Sequence, residues 1–237
     1  MSERPPDWRL RRLSTPRAAA FAGVLFAVLF GTALVLIKTA MPEGGQPGSQ
    51  WIDGANGKLM LASKLMPFAG IAFLWFIGVV RDGFGKFEDR FFLSVFLGSG
   101  LLFLAMIFAS SAVGVGLVAV RATKAEAAAS GEVAVFGQHL LIALSNTYAL
   151  RMAGVFMISL ATIWLKTRLM PTWLVATTYL VALTILIISD VSMWITVAFP
   201  IWVLVVSLLA LVRAGIIDLH YGDNDVRSDG APTPDRS

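Results

Sequence analysis

Residues 18–37 read AAAFAGVLFAVLFGTALVLI, an uninterrupted apolar run whose one polar side chain is Thr32. About 20 such residues in a helix cover a hydrocarbon core of roughly 30 Å, so this stretch reads as a transmembrane helix. A cleaved secretion signal is the competing reading. It fails on two counts: a signal's apolar region is only about 7–15 residues long, and Lys38 would stand where a cut after Ala40 requires a small neutral residue. The segment is expected to be retained as an anchor.

Outward from this run the pattern recurs. Five further apolar segments lie at 65–80, 91–120, 149–165, 172–189 and 192–212, giving six expected spans. The second is short, and the fourth carries Arg151 near its start. Over all 237 residues, 57% are hydrophobic and 14% charged, against about 25% charged in an average soluble domain. So little charge cannot clothe a water-facing surface, which excludes a cytosolic enzyme or a disordered regulator. With no cysteine, disulfides, thiolate catalysis and iron–sulfur ligation are also excluded. The net charge of +4 reflects basic clusters beside apolar runs, a membrane-orienting pattern, so no nucleic-acid partner is expected.

The fold class expected is all-α: a polytopic membrane bundle of six transmembrane helices with both termini cytoplasmic. Residues 1–17 form a basic segment, 18–213 the membrane domain, and 214–237 an acidic tail whose part from 218 onward is expected to be disordered. Orientation follows from basic residues, which concentrate on the cytoplasmic side. Placing both ends inside puts Arg4, Arg9, Arg11, Arg12, Arg17, Arg81, Lys86, Arg90, Lys166, Arg168, Arg213, Arg227 and Arg236 there. The outer set is smaller: Lys38, Lys58, Lys64, Arg121, Lys124 and Arg151. Trp164 and Trp173 are expected to flank the inner loop, and Trp51 and Trp194 the outer boundary.

Between spans, residues 41–57 carry Asp53–Gly54 and Asn56–Gly57 and read as an outer loop. The run Ala127–Ala129 favours a helical extension of the third span. Residues 133–148 are too interrupted for a crossing and are expected at the outer surface. Pro200, read as interior to the last span, predicts a kink.

Small residues recur at helical spacing. Ala19, Gly23, Ala27 and Gly31 form one stripe; Ala105 and Ala109, Ser110 and Gly114, and Ala112 and Gly116 form shorter ones on the third span. Such stripes let helix backbones approach closely, so they are expected to face other helices.

Catalytic chemistry is sparse. The two histidines, His139 and His220, cannot clamp a membrane haem or make a His-x-x-x-His zinc site, so neither cofactor nor metal is expected. Gly98–Ser99–Gly100 lacks a following histidine base and reads as packing. The ionisable pair nearest the membrane is Arg151 with Asp190. With His139, Asn146 and Tyr148 they compose a candidate outer polar site, against the alternative that each reaches independently for the headgroups. Paired hydroxyls such as Ser159 and Thr162 are expected to bond back to helix carbonyls.

The stretch RMAGVFMISLATIWLKTRLMPTWL, residues 151–174, resembles uncharacterised six-span integral membrane proteins of actinobacteria. The resemblance implies a multi-pass protein of a bacterial inner (plasma) membrane and brings no activity with it. Two functions compete on this reading. One is a non-enzymatic structural or accessory component that binds a membrane-protein partner, or a second copy of itself, through its small-residue faces. The other is a transporter or channel for a small solute, entered near Arg151 and Asp190.

Overall fold

In the computed structural model the described residues are 15–40, 50–83, 90–122, 127–188 and 193–221. They are helical almost throughout, with no strand among them. The elements are α1 (Thr15–Ala40), α2 (Gln50–Gly83), α3 (Arg90–Ala122), α4 (Ala127–Ile142), α5 (Leu150–Thr167), α6 (Thr172–Ile188) and α7 (Ala198–Tyr221). A π-helical turn, Ala143–Ala149, joins α4 to α5, and a 3₁₀ turn, Met193–Val197, leads into α7.

Five helical stretches are long and apolar enough to cross a membrane: 18–40, 57–82, 90–119, 132–167 and 195–212; α6 is a shorter apolar helix of 17 residues. The chain is therefore a multi-pass membrane protein by length and composition. Residues 133–148, expected at the surface, instead continue into α5 as one long rod. Their interruptions have structural uses. Gly137 admits the Leu117 side chain of α3, and the polar run Ser145–Thr147 forms the π turn.

Side-chain pairs fix the direction of each rod. Phe26 packs on Phe73 while Lys58 Nζ–H donates to the Thr39 carbonyl, so α1 and α2 are antiparallel. Ile77 meets Gly100 and Gly70 meets Phe108, which makes α2 and α3 antiparallel. Phe96 stacks on Phe156 and Ser110 bonds to Leu141, so the α4–α5 rod runs back along α3. Thr162 bonds to Tyr179 and Gly154 faces Leu186, reversing the chain again at α6. Finally, α7 is antiparallel to α1, with Ser207 at Gly23 and Phe199 at Phe26. Six rods thus alternate, and Thr15 and Tyr221 lie at the same end. Arg81, Arg90, Lys166 and Arg168 gather there too; we call it the basic end.

Other expectations change. The Asp53–Gly54 and Asn56–Gly57 pairs lie inside α2 rather than in a loop, and just beyond them Leu59 packs on Ala40 at the end of α1. The alanine run at 127–129 opens α4 instead of extending α3. Residues 218–221 belong to α7, and the rest of the tail lies outside the described residues. Pro200 lies within the span 195–212, three residues after the end of the 3₁₀ turn, and its missing amide withholds the usual helical donor from the Thr196 carbonyl where 3₁₀ gives way to α geometry. Trp164 is buried, its ring 6.2 Å from Trp202, while Trp173 is exposed; the Trp51 and Trp194 side chains lie outside the described set. At the basic end α5 stops on Arg168 in the left-handed conformation (φ 52°), and the Pro171 carbonyl receives the first amides of α6.

The core is aromatic. Phe26, Phe73, Phe103, Phe156 and Phe199, one from each of five rods, are at most 1% exposed. Their centroids lie 4.6–6.5 Å apart in tilted and edge-to-face pairs, the arrangement that ring quadrupoles favour.

Candidate functional site

Above the phenylalanine layer, toward the end away from the termini, polar side chains converge. A cavity of about 20 Å³, room for one water, is lined by Lys38 of α1, Ser110 and Ser111 of α3, Ser145 and Asn146 of the π turn, and Thr196 of the 3₁₀ turn. Apolar walls come from Leu34, Met66 and Ile107.

The π turn explains the cluster. Its i→i+5 bonding widens the helix and disturbs the regular pairing of carbonyls, which side chains then take up. Ser145 Oγ–H donates to the Leu141 carbonyl at 2.8 Å, and Ser110 Oγ–H reaches the same carbonyl from α3 at 3.1 Å. Arg151 Nη1–H donates to the Thr147 carbonyl at 3.3 Å. Across the bundle, Thr196 Oγ1–H donates to Asn146 Oδ1 at 3.1 Å, tying the π turn to the 3₁₀ turn.

Lys38 is the residue that sequence reasoning misplaced. Assigned to an outer loop, it is nine-tenths buried between helices. An ionisable side chain buried in a membrane bundle marks a functional position by default. The signal was present: the last hydrophobic turn of α1 continues through Lys38 to Ala40, so the lysine belongs to the helix. Ser110 and Thr196 were likewise visible as hydroxyls in apolar runs, but only the fold brings them to Lys38.

Of the expected outer site, Asn146 faces the cavity, whereas Tyr148 is 57% exposed and His139 is exposed one turn before the cluster. Arg151 is half-buried and holds the π turn; Asp190 lies outside the described residues, and with it the Arg151–Asp190 pairing. Among the described residues no cluster of three or more His, Cys, Asp or Glu could hold a metal.

The small-residue stripes divide. Ala19, Gly23 and Ala27 are buried within the chain, and a Cβ on Gly23 would overlap Ser207 Oγ and approach Phe76 to 2.9 Å. Gly31 has open space and borders a groove of about 460 Å³ between α1 and α7. On α3, Ser110 and Gly114 face the α4–π rod, while Ala105, Ala109, Ala112 and Gly116 lie on the exposed side. Gly100 of the Gly–Ser–Gly run packs against Ile77 and Phe156, and Ser99 Oγ–H bonds back to Val95, a packing arrangement.

No family model, no curated protein and no solved structure matches this chain.

Proposed function

We propose that this chain is a six-span protein of a bacterial inner membrane with both termini cytoplasmic, and that it serves as a non-enzymatic structural or accessory component that holds another transmembrane helix. The alternation of six rods and the basic residues gathered at the terminal end support the topology. At 17 residues α6 meets the lower limit of roughly 17–25 for a span.

The observation that carries the role is the phenylalanine layer. Five rings from five rods close the bundle axis beneath the polar cavity, and a solute crossing there would have to displace aromatic side chains packed at core density. Outside the bundle, the groove bordered by Ala27, Gly31, Thr32, Pro200, Ile201 and Leu204 offers a helix the close backbone approach that small residues permit. The association test belongs at Gly31, because Gly23 is already used within the chain. A Cβ at Gly31 meets nothing within 4 Å, so Gly31→Leu extends into the groove and is expected to abolish co-purification of the partner, or self-association, in mild detergent. Complexes that survive the substitution would defeat the proposal.

One observation favours the second reading, a small-solute carrier: the buried Lys38 and its ring of hydroxyls form a polar chamber at the outer end. Solute flux into vesicles holding the purified chain, lost in Asn146→Leu, would replace the first reading by this one.

A further inference from the structure

We propose that the chamber at Lys38 binds one monovalent anion of halide size, such as chloride, held by donors from α1, α3 and the π turn. The chamber is about 20 Å³, and among the described residues no carboxylate lines it. Lys38 stands two residues before the end of α1 and is 9% exposed. Helical side chains lean toward the N-terminus of their own helix, so the Lys38 stem runs back into the bundle, along the wall made by Leu34, and not out past Ala40. The charge is thereby delivered to an interior space.

The hydrogen bonds already made around the chamber decide which groups remain for a ligand. Ser110 and Ser145 give their hydroxyl protons to the Leu141 carbonyl, and Thr196 gives its own to Asn146 Oδ1 at 3.1 Å. With Oδ1 engaged, the Asn146 N–H groups have no acceptor among the described residues. Ser111 adds a second such donor. Ser63, Ser99 and Ser159 each bond back to a carbonyl one turn earlier, whereas the Ser111 hydroxyl, on the chamber wall, has no partner among the described residues. Ammonium, amide and hydroxyl donors therefore border one space of atomic size. A water accepts two hydrogen bonds at most and cannot serve all three groups. A halide accepts from every side, has no proton of its own to place, and carries the charge opposite to that of Lys38. A metal cation is repelled by the same ammonium, and sulfate or phosphate is too large for a space that holds one water.

Occupancy depends on the chamber alone and on neither functional role. The full-length chain in mild detergent is unfolded by heat in gluconate, with chloride or bromide replacing it at constant ionic strength, and the midpoint is followed by tryptophan fluorescence. An anion bound by the folded chain and not by the unfolded one raises the midpoint as its concentration rises. Wild type is expected to show this rise with both halides. Lys38→Met should abolish it. Ser111→Ala should weaken halide binding about tenfold, the scale of one hydrogen bond to a charged group, and it tests the site even where Lys38→Met fails to fold. Lys58→Gln, at an exposed lysine of the same end, should keep the full rise. In crystals grown from bromide, the anomalous signal should place one ion in contact with Lys38 Nζ. Equal midpoints in halide and gluconate, a rise that survives Lys38→Met, halide binding unchanged in Ser111→Ala, or a water in the place of bromide would each overturn the proposal.

Discussion

Around Phe26 and Phe156 the rods are regular α-helix and the interior is mainly aromatic and aliphatic; about three turns further along α1, at Lys38, two of the rods leave α-geometry and hydroxyls, an amide and the lysine amine share the interior. What differs is where backbone hydrogen bonds go. In the phenylalanine layer the helices satisfy their own carbonyls and cohesion comes from ring contacts. In the polar layer the π turn disturbs that pairing, and Ser110, Ser145 and Arg151 supply donors to its carbonyls. Irregular backbone at membrane depth is tolerated where protein side chains can pair it.

The largest expected effect comes from breaking the aromatic layer. Phe156 touches Phe73, Phe96, Phe199 and Trp202 with no exposed surface. Phe156→Ala should cost about 3–5 kcal/mol, read as a lower unfolding midpoint in a detergent titration. A loss under about 1 kcal/mol would mean that the layer is loosely packed and that the contrast with the polar end is false. Next is Gly23, where α1, α2 and α7 meet. Here Ser207 Oγ is buried with no hydrogen-bond partner among the described residues, its position allowed because Gly23 has no Cβ. Gly23→Ala should cost about 1–3 kcal/mol through overpacking, and Ser207→Gly should recover part of that loss by clearing the space. Failure of the second change to help would place the strain at Phe76 instead.

In the polar layer the effects should be smaller and coupled. A double-mutant cycle on Asn146→Leu and Thr196→Val isolates the bond between the π and 3₁₀ turns, with an expected coupling of about 0.6 kcal/mol and at most about 1.7. Strictly additive effects would show that the two turns are held by their own helices and not by each other.

The apolar runs made the helices legible in the sequence. Composition alone specified an all-helical membrane chain, and the stripe Ala19–Gly23–Ala27 fixed one face of α1. The turn signals misled at Asp53–Gly54 and Asn56–Gly57: local preference is a weak prior, and both pairs lie within α2. The rod at 132–167 was obscured because Gln138, His139, Ser145, Asn146 and Thr147 interrupt the apolar run by which a span is recognised, and the last three of these lie in the π turn. Asn146 was legible as a polar residue in an apolar setting. Its partners were not: Lys38, Ser110 and Thr196 come from three other elements, and nothing local in their sequence announces that α1, α3 and the 3₁₀ turn converge on one cavity.

The smallest effect gives the finest comparison, since Thr177 and Thr178 are neighbours on α6 with the same side chain. Thr177 is exposed and its hydroxyl donates to the Trp173 carbonyl one turn back, a bond that competes with nothing and joins no second helix. Thr178 is fully buried, and its Oγ1 accepts the indole N–H of Trp202 on α7 at 3.0 Å. Valine keeps the shape of threonine at both positions, so packing is nearly unchanged and the readout is the hydroxyl. Thr177→Val should shift stability by no more than about 0.5 kcal/mol. Thr178→Val leaves the Trp202 donor buried without its acceptor and should cost roughly 1–3 kcal/mol. Equal effects would mean that Trp202 finds another acceptor, and that the lower half of the bundle, like the phenylalanine layer above it, is held by ring packing alone.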